Sequence, residues 1–471
     1  MIVGRKNMSS LFICLCLLVA SFTASKPIYA AADHTEHFLS ITDIHFDPFL
    51  SCNNVAPCPL IENLRRAPSD QWKTILAELD TGMPVYGKNT NYKLLESALF
   101  GFKNAAVFQR PRFILLLGDL LAHDYQKDFE QYSSDQSFVS YQSFVKKSMA
   151  FLASEIKTTF PETDVYYAVG NHDSYHNPFS SYPNGVFFKD MADIWSALVK
   201  DTNTQEAMKH TFQTAGYYAI DLPQQSNARL IVLNSVLFST DAEGQDVSSA
   251  AEKELAWLHT ELNAARNQQQ HIIIAMHIPM GVDIDSSLHS SPFKLTEFWQ
   301  PEYTSRFLAE LEEYAADVTA ILPGHFHMDW FQVYHTKNGH SIPMSGTPSI
   351  SSALGNNPAF KIFSYDTKSL MLENYVTYSY SFQNHSWNEE YDFNATYQPN
   401  CSNCEISHAM NTIEPDGDTA ELYKKYFAVS NDHLSPLINQ LWMPYIWCNV
   451  RNITVQDYGT CLSEKMLHSY S

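Results

Sequence analysis

The sequence predicts an α/β protein built in layers, with helices on the outer faces of its sheets. Two patterns carry that reading. Short, continuous runs rich in Ile, Val and Leu recur along the chain, and helix-length segments separate them. A third pattern points to function: several of the runs end in Asp, His or Asn. The apolar runs are Phe38–Thr42, Phe113–Leu117, Val165–Val169, Leu230–Asn234, Ile272–Met276 and Val318–Leu322. Uninterrupted apolar character is what strands buried on both faces require. The helix-like stretches are Asn91–Phe108, Ser137–Thr158, Ser248–Asn267 and Ser305–Ala316. Their alternation with strands argues for layered α/β architecture. Further strand is expected between Gly355 and Glu373, and Gly82 to Asn91 reads as a surface loop.

From about Asn374 the texture changes. It becomes rich in Tyr, Asn and Trp and carries Cys401, Cys404, Cys448 and Cys461, with helical stretches at Thr419–Phe427 and Pro436–Trp442. The expected organisation is a leader over residues 1–32, a catalytic unit over 33–373, and a mostly helical, disulfide-stapled C-terminal subdomain over 374–471.

Five segments place ligand-type residues directly behind a strand: Asp43-Ile44-His45, Gly118-Asp119, Gly170-Asn171-His172-Asp173, Met276-His277, and Gly324-His325-Phe326-His327. In α/β sheets the crevice outside the carboxyl ends of strands is where ligands bind. Carboxylate oxygen and imidazole nitrogen suit hard or borderline dications. Asp119 follows a glycine and can approach two ions closely enough to bridge them, and Asn171 offers a neutral oxygen. Two ions about 3.5–4 Å apart form a clamp for in-line displacement at phosphorus. Asp43 with His45, and His325 with His327, occupy alternate positions, which in an extended strand end would point each pair one way. Each motif alone is weak. A lone Asp-x-His is ordinarily structural, and Gly-Asp after a strand is ordinarily a turn. The order and completeness of the set carry the argument.

That ordered set resembles the calcineurin-like metallophosphoesterase superfamily over roughly Phe38 to Glu373. The closer resemblance is to its acid sphingomyelinase-like phosphodiesterase branch. The features are His123 within Gly118-Asp119-Leu120-Leu121-Ala122-His123-Asp124, and the insertion between Asp43 and Asp119 carrying Cys52 and Cys58. Thr347-Pro348-Ser349-Ile350-Ser351-Ser352-Ala353-Leu354-Gly355-Asn356-Asn357-Pro358 and the cysteine-bearing tail also fit. The resemblance implies a four-layer αββα sandwich with two six-stranded sheets and two zinc ions. One ion would be held by Asp43, His45, Asp119 and His327, the other by Asp119, Asn171, His277 and His325. It also implies a proton donor or transition-state stabiliser at His172, oriented by Asp173, with His123 as the second candidate. A hydroxide bridging the ions would attack phosphorus in line. Tyr175 and His176, behind the Asn-His-Asp segment, and Asn356 and Asn357 are candidate substrate contacts, although a turn would equally explain the two asparagines. Purple acid phosphatases place a Tyr where this chain has Ala122, so a coloured ferric site is not expected. The saposin-like domain of full acid sphingomyelinases is not expected either, which shifts the reading toward soluble phosphodiesters and nucleotides, or lipids met without that helper.

Arg5 and Lys6, the apolar run Leu11–Phe22 and Ala30-Ala31-Ala32 read as an export signal, which places the protein in a secreted or periplasmic setting. The 471 residues carry a formal charge of −21; without Arg5, Lys6 and Lys26 the chain has 27 basic and 51 acidic residues, near −24. So acidic a body excludes nucleic-acid polymers as partners. No later stretch is long and apolar enough to span a bilayer, and a monomer is expected. Sequence proximity pairs Cys52 with Cys58, Cys401 with Cys404 and Cys448 with Cys461, among many possible pairings; a zinc site on the last four is the rival. Asn384, Asn394, Asn400 and Asn452 sit in N-glycosylation sequons. The function expected is a two-metal phosphodiesterase. Phosphomonoesterase or nucleotide pyrophosphatase activity on the same site is the alternative. A non-catalytic binding protein is a third reading, and it predicts lost ligands where none is lost.

Overall fold

The computed structural model describes residues 34–79, 81–222, 227–289, 294–398, 404–413, 417–431 and 443–468. The expected leader, the Pro436–Trp442 stretch, Cys401 and Asn400 lie outside these residues.

The strands in chain order are β1 (Thr35–Ile41), β2 (Phe113–Leu116), β3 (Asp164–Tyr167), β4 (Tyr218–Asp221), β5 (Ala228–Val232), β6 (His271–Ala275), β7 (Val282–Asp283), β8 (Thr296–Glu297), β9 (Val318–Leu322), β10 (Trp330–His335), β11 (Ser341–Gly346), β12 (Ala359–Asp366), β13 (Leu372–Ser381) and β14 (Ser386–Asp392). They form two six-stranded sheets, ordered β14-β13-β12-β1-β2-β3 and β10-β11-β9-β6-β5-β4, with β7 and β8 as a separate pair. In the first sheet β1, β2 and β3 run parallel. In the second, β5, β6, β9 and β11 do. Every residue of β2 and β9 is buried, which is why β2 is apolar throughout and β9 is apolar but for Thr319, whose hydroxyl donates to Ile272 O.

The sheets meet face to face. Tyr218 of β4 donates to the Tyr167 carbonyl of β3 at 3.1 Å. Lys361 of β12 donates to the Gly346 carbonyl of β11 at 2.8 Å. The Lys361 ammonium also lies 2.8 Å from Asp329, with both side chains buried. Helices cover the outer faces. Helix Tyr92–Gln109, capped by the Asn91 side chain at Leu94 N, lays Phe102 edge-on against Phe360 at 4.9 Å. Helix Val247–Asn267 buries Leu255, Leu258 and Leu262. This is the four-layer αββα order.

The compositional change at Asn374 falls inside β13, which pairs with β12 over most of its length. Strand β14 continues the same sheet. The helices begin after it: Phe393–Tyr397, Ile406–Thr412, Asp418–Phe427, Met443–Asn449 and Val455–His468. Cys52–Cys58 and Cys448–Cys461 are disulfides, and Cys404 is disulfide-bonded as well. Oxidation of Cys448 and Cys461 removes the rival four-cysteine zinc site.

Candidate metal centre

The parallel strands deliver their ends to one place because their ladders continue into the loops. Asp43 N donates to Gly118 O at 2.9 Å, His45 N to Asp119 O at 3.0 Å, and Gly324 N to His277 O at 3.0 Å. Two glycines allow the loops to approach. A Cβ on Gly170 would stand 2.0 Å from Asp119 N, and one on Gly324 would stand 2.1 Å from Thr42 Oγ1.

Asp43, His45, Asp119, His325 and His327 all have positive φ, between 46° and 68°. This corrects the expectation that each pair is aligned by extended-strand alternation. The side chains reach the site through left-handed backbone, a conformation that Asp and His enter more readily than most residues. Such strain, about 1–3 kcal/mol per residue, persists where surrounding structure fixes it, and it clusters at functional sites.

Three groups of donor atoms result among the described residues. His45, His123 and His327 converge, and two further sets have Asp119 in common: Asp43, His45 and Asp119, and Asp119, His277 and His325. Asp119 Oδ2 lies 3.2 Å from His277 Nε2 and 3.6 Å from His45 Nε2. His327 Nε2 stands 3.3 Å from Asp43 Oδ1 and 3.1 Å from His45 Nε2. Asn171 Oδ1 stands 2.9 Å from His277 Nε2. Backbone carbonyls fix two tautomers. His45 Nδ1 faces Leu121 O at 2.9 Å and His277 Nδ1 faces Leu117 O at 2.6 Å. Each Nδ1 therefore donates to a carbonyl, and each Nε2 is the atom that faces the site.

The donor set fits a pair of dications. Asp43 Oδ1 and His327 Nδ1 are buried without a hydrogen-bond partner, a costly condition unless positive charge is supplied. The protonation pattern says the same. Burial opposes a charge on His277, yet Asp119 and Asp43 outweigh it and lift its pKa to about 9. Burial likewise opposes the Asp43 carboxylate, and the histidines, His327 foremost, hold it well below the usual range. The pocket demands cations, and metal ions would displace the protons.

A cavity of about 250 Å³ opens onto this cluster. Asp119, His123, Asn171, His172, His325 and His327 form its floor. His123 stacks on His45 with centroids 4.0 Å apart and meets the His172 ring edge-on at 4.6 Å. The His172 backbone amide donates to Asp119 Oδ1 at 2.8 Å. Burial, only partly offset by Asp119, pushes His172 down to about 4. Burial and the neighbouring His45 and His172 charges push His123 lower still.

Other expected residues sit elsewhere. Asp173 does not orient His172. Its carboxylate accepts from Leu120 N, Leu121 N, Gly170 N and the Tyr167 hydroxyl, so it pins the second and third ligand loops together. Tyr175 and His176 face away, because the chain turns tightly at Asp173 and Ser174. Tyr175 is buried and donates to Asp190 at 2.6 Å; with His176, it lines a separate cavity of about 200 Å³. Asn356 is fully buried, its amide spent on Ser349, Ser351 and Asn357 carbonyls. Asn357 ties Tyr86 to Val429. Both asparagines brace the loop.

The cavity walls were not foreseen. Asp283, Asp285, Ile284, Leu288 and Phe298 come from around β7 and β8, and Phe427 and Ile446 from the C-terminal helices. Phe326, between the two histidines, and Leu354, within the Thr347–Pro358 stretch, were the wall residues with a motif as signal.

The model of the calcineurin-like phosphoesterase family matches residues 37–329. The chain belongs to that family. It is therefore a phosphoesterase, and its ligand loops fall inside the matched span. Homology to acid sphingomyelinase-like phosphodiesterases covers most of the chain. Mouse acid sphingomyelinase-like phosphodiesterase 3b is 24% identical over 90% of this chain and 89% of its own length. The human cyclic GMP-AMP phosphodiesterase SMPDL3A is 21% identical over 92% and 91%. Sphingomyelinase phosphodiesterase D of Dictyostelium discoideum is 26% identical over 66% of each. Among solved structures, a dimetal phosphatase from Danio rerio aligns with 73% of this chain and 96% of its own, at 12% identity and a TM-score of 0.42. Among the described residues no helix is long and apolar enough to cross a membrane.

Proposed function

We propose that this chain is an exported two-metal phosphodiesterase acting on small phosphodiesters. The observation that carries the reading is the position of the Asp119 carboxylate between two groups of inward-facing donors, with Asp43, His45 and His327 on one side and Asn171, His277 and His325 on the other. Bound there, two dications would supply Lewis acidity and an activated water for in-line displacement at phosphorus. The donor chemistry suits zinc, manganese and iron alike; the family resemblance makes zinc the metal we propose.

The chain's own residues supply the rest. Asp119 and Asp43 fix the positive charge that draws a phosphate into an otherwise acidic protein. His123 and His172 line the cavity over the donor cluster, within reach of a leaving oxygen. His123 donates its Nδ1 proton to Asn89 Oδ1 at 2.7 Å, so in the imidazolium form the second proton, on Nε2, is the one that can pass to that oxygen. His172, with its backbone committed to Asp119, presents its ring to the same space. Asp283 and Asp285 on the wall favour a diester over a polyphosphate, since a second phosphate would face their carboxylates. A phosphomonoester or nucleotide anhydride remains the alternative substrate on the same machinery. Export is supported by the disulfides, which form and persist in oxidising compartments.

The test is hydrolysis of bis-p-nitrophenyl phosphate against p-nitrophenyl phosphate and ATP, with and without chelator, beside Asp119→Asn. Chelator-sensitive diester cleavage that disappears in the variant supports the proposal. Turnover of ATP alone would reassign the enzyme to nucleotide hydrolysis. A diester rate indifferent to chelator and to Asp119 would overturn the metal centre.

A further inference from the structure

The segment Gly82–Asn91 looks from sequence like a plain surface loop, yet one of its side chains reaches His123, which lines the reaction cavity. Asn89 makes two directional contacts. Its Oδ1 stands 2.7 Å from His123 Nδ1, and its Nδ2 donates to Asp47 Oδ2 at 3.1 Å. The second contact settles the first. Because Nδ2 is committed to a carboxylate oxygen, Oδ1 is the atom facing His123, and an oxygen there can only accept. His123 must then donate its Nδ1 proton to Asn89, and the second proton, present only in the imidazolium form, sits on Nε2 toward the cavity.

Asp47 is itself anchored. It is buried, its Oδ1 accepts from Phe49 N at 2.9 Å, and its backbone amide donates to Thr90 O at 2.8 Å. Thr90 N in turn donates to His45 O at 3.0 Å. The line from Asp47 through Asn89 to His123 therefore starts on the backbone beside a metal-ligand candidate and ends on an imidazole in the cavity. The His123 ring is fixed on its other side by the stack on His45.

We infer that Asn89, held by Asp47, is a positioning residue that sets the ring orientation and tautomer of His123 for protonating the leaving group. This rests on the assignment of His123 as a proton donor, and the test separates the two. An amide is suited to the task because it both donates and accepts. A carboxylate at position 89 would face Asp47 unfavourably, and an alkyl group would free the ring to flip. A flipped ring would present Nδ1 to the cavity in the wrong place, and proton transfer depends on that placement within hydrogen-bond reach.

The experiment uses the metal-replete full chain and two diesters. Bis-p-nitrophenyl phosphate releases a weakly basic oxygen that leaves without help; diphenyl phosphate releases phenolate, which needs a proton. The variants are Asn89→Leu, His123→Ala and the swap Asp47→Asn with Asn89→Asp. The swap retains both hydrogen bonds, since the amide now at position 47 would donate and the carboxylate now at position 89 would accept. We expect Asn89→Leu to lose about tenfold in kcat on diphenyl phosphate, the scale of one hydrogen bond, with a several-fold smaller loss on the nitrophenyl diester. The swap restores most of it. In protein labelled with nitrogen-15 histidine, the His123 Nδ1–H signal is present in wild type and the swap and lost in Asn89→Leu, a readout independent of turnover. Equal losses on both diesters, a fall in bound metal, or an unchanged His123 signal in Asn89→Leu would overturn the inference. If His123→Ala discriminates between the diesters and Asn89→Leu does not, the inference alone falls. If His123→Ala does not discriminate, the assignment of the donor falls and takes the inference with it.

Discussion

The two sheets contribute differently to the centre. The loops after β1, β2 and β3 bring Asp43, His45, Asp119 and Asn171, a set rich in oxygen; the loops after β6 and β9 bring only imidazoles, His277, His325 and His327. Neither sheet holds a complete set. The acid half alone would be repelled by its own carboxylates, and the histidine half alone would lack the charge to hold dications. Each group of donors becomes complete only where the sheets meet, so the metal centre and the packing of the sandwich are one structure. His325 N donating to Asp43 Oδ2 at 2.9 Å is that junction in a single contact.

Removing the one carboxylate common to both groups breaks this most severely. Asp119→Asn should bind less than the full metal complement and lose activity well beyond the roughly hundredfold typical of an outer-shell partner, read by metal analysis and diester hydrolysis. If Asp43→Asn proves the more damaging, the shared position is misassigned. The next effect is on the packing itself. Lys361 and Asp329 pair across the sheets with no exposure to solvent. Lys361→Met should cost about 3–5 kcal/mol in urea unfolding by stranding a buried carboxylate, while pairing it with Asp329→Leu should recover most of the loss. A single variant within about 1 kcal/mol of wild type would mean that the sheets do not depend on the pair.

The C-terminal helices sharpen the comparison by touching the site only through its walls. Phe427→Ala should raise KM a few-fold and leave kcat and metal content nearly unchanged, measured with the best diester found. A kcat effect would extend the reacting centre into that region. The smallest effect concerns pH. Burial pushes the Glu390 carboxyl up to about 8, with Ser430 only partly offsetting it. A raised carboxyl stabilises the fold below its unfolded pKa of about 4.5. That contribution fades as pH rises through 8. The Tm should decline between these values, and Glu390→Gln should flatten the decline by about 2 °C. An unchanged slope would place the linkage on other buried acids, Asp47 and Asp173 among them, both raised by burial to about 6.

Much of this was legible in the chain. Strand stretches buried on both faces are dominated by apolar residues, so the central parts of β1, β2, β3, β5, β6 and β9 announce themselves. Dication ligands draw on few residue types, and those types recur behind the strands. The short runs of β4, β10 and β11 gave no comparable signal. Nor did the role of Asp173, whose position beside His172 suggested an orienting partner, while its hydrogen bonds run to the backbone of the neighbouring loop. Tyr175 and His176 misled for a related reason. Closeness along the chain says little past a tight turn, and here the turn sends both side chains behind the site.

The sequence by itself determined the layers, the succession of the main strands along the chain and the identity of the metal-ligand candidates, because burial and coordination restrict residue choice position by position. Only the tertiary structure shows how the donors gather, since His325 and His327 are near neighbours in the chain, yet His325 joins Asp119 and His277 while His327 lies against Asp43 and His45. It also decided that left-handed backbone, rather than strand alternation, aims them. The cavity walls and the Asp47–Asn89–His123 line depend on segments separated by tens to hundreds of residues. Contacts of that kind are fixed by packing, which no local pattern records.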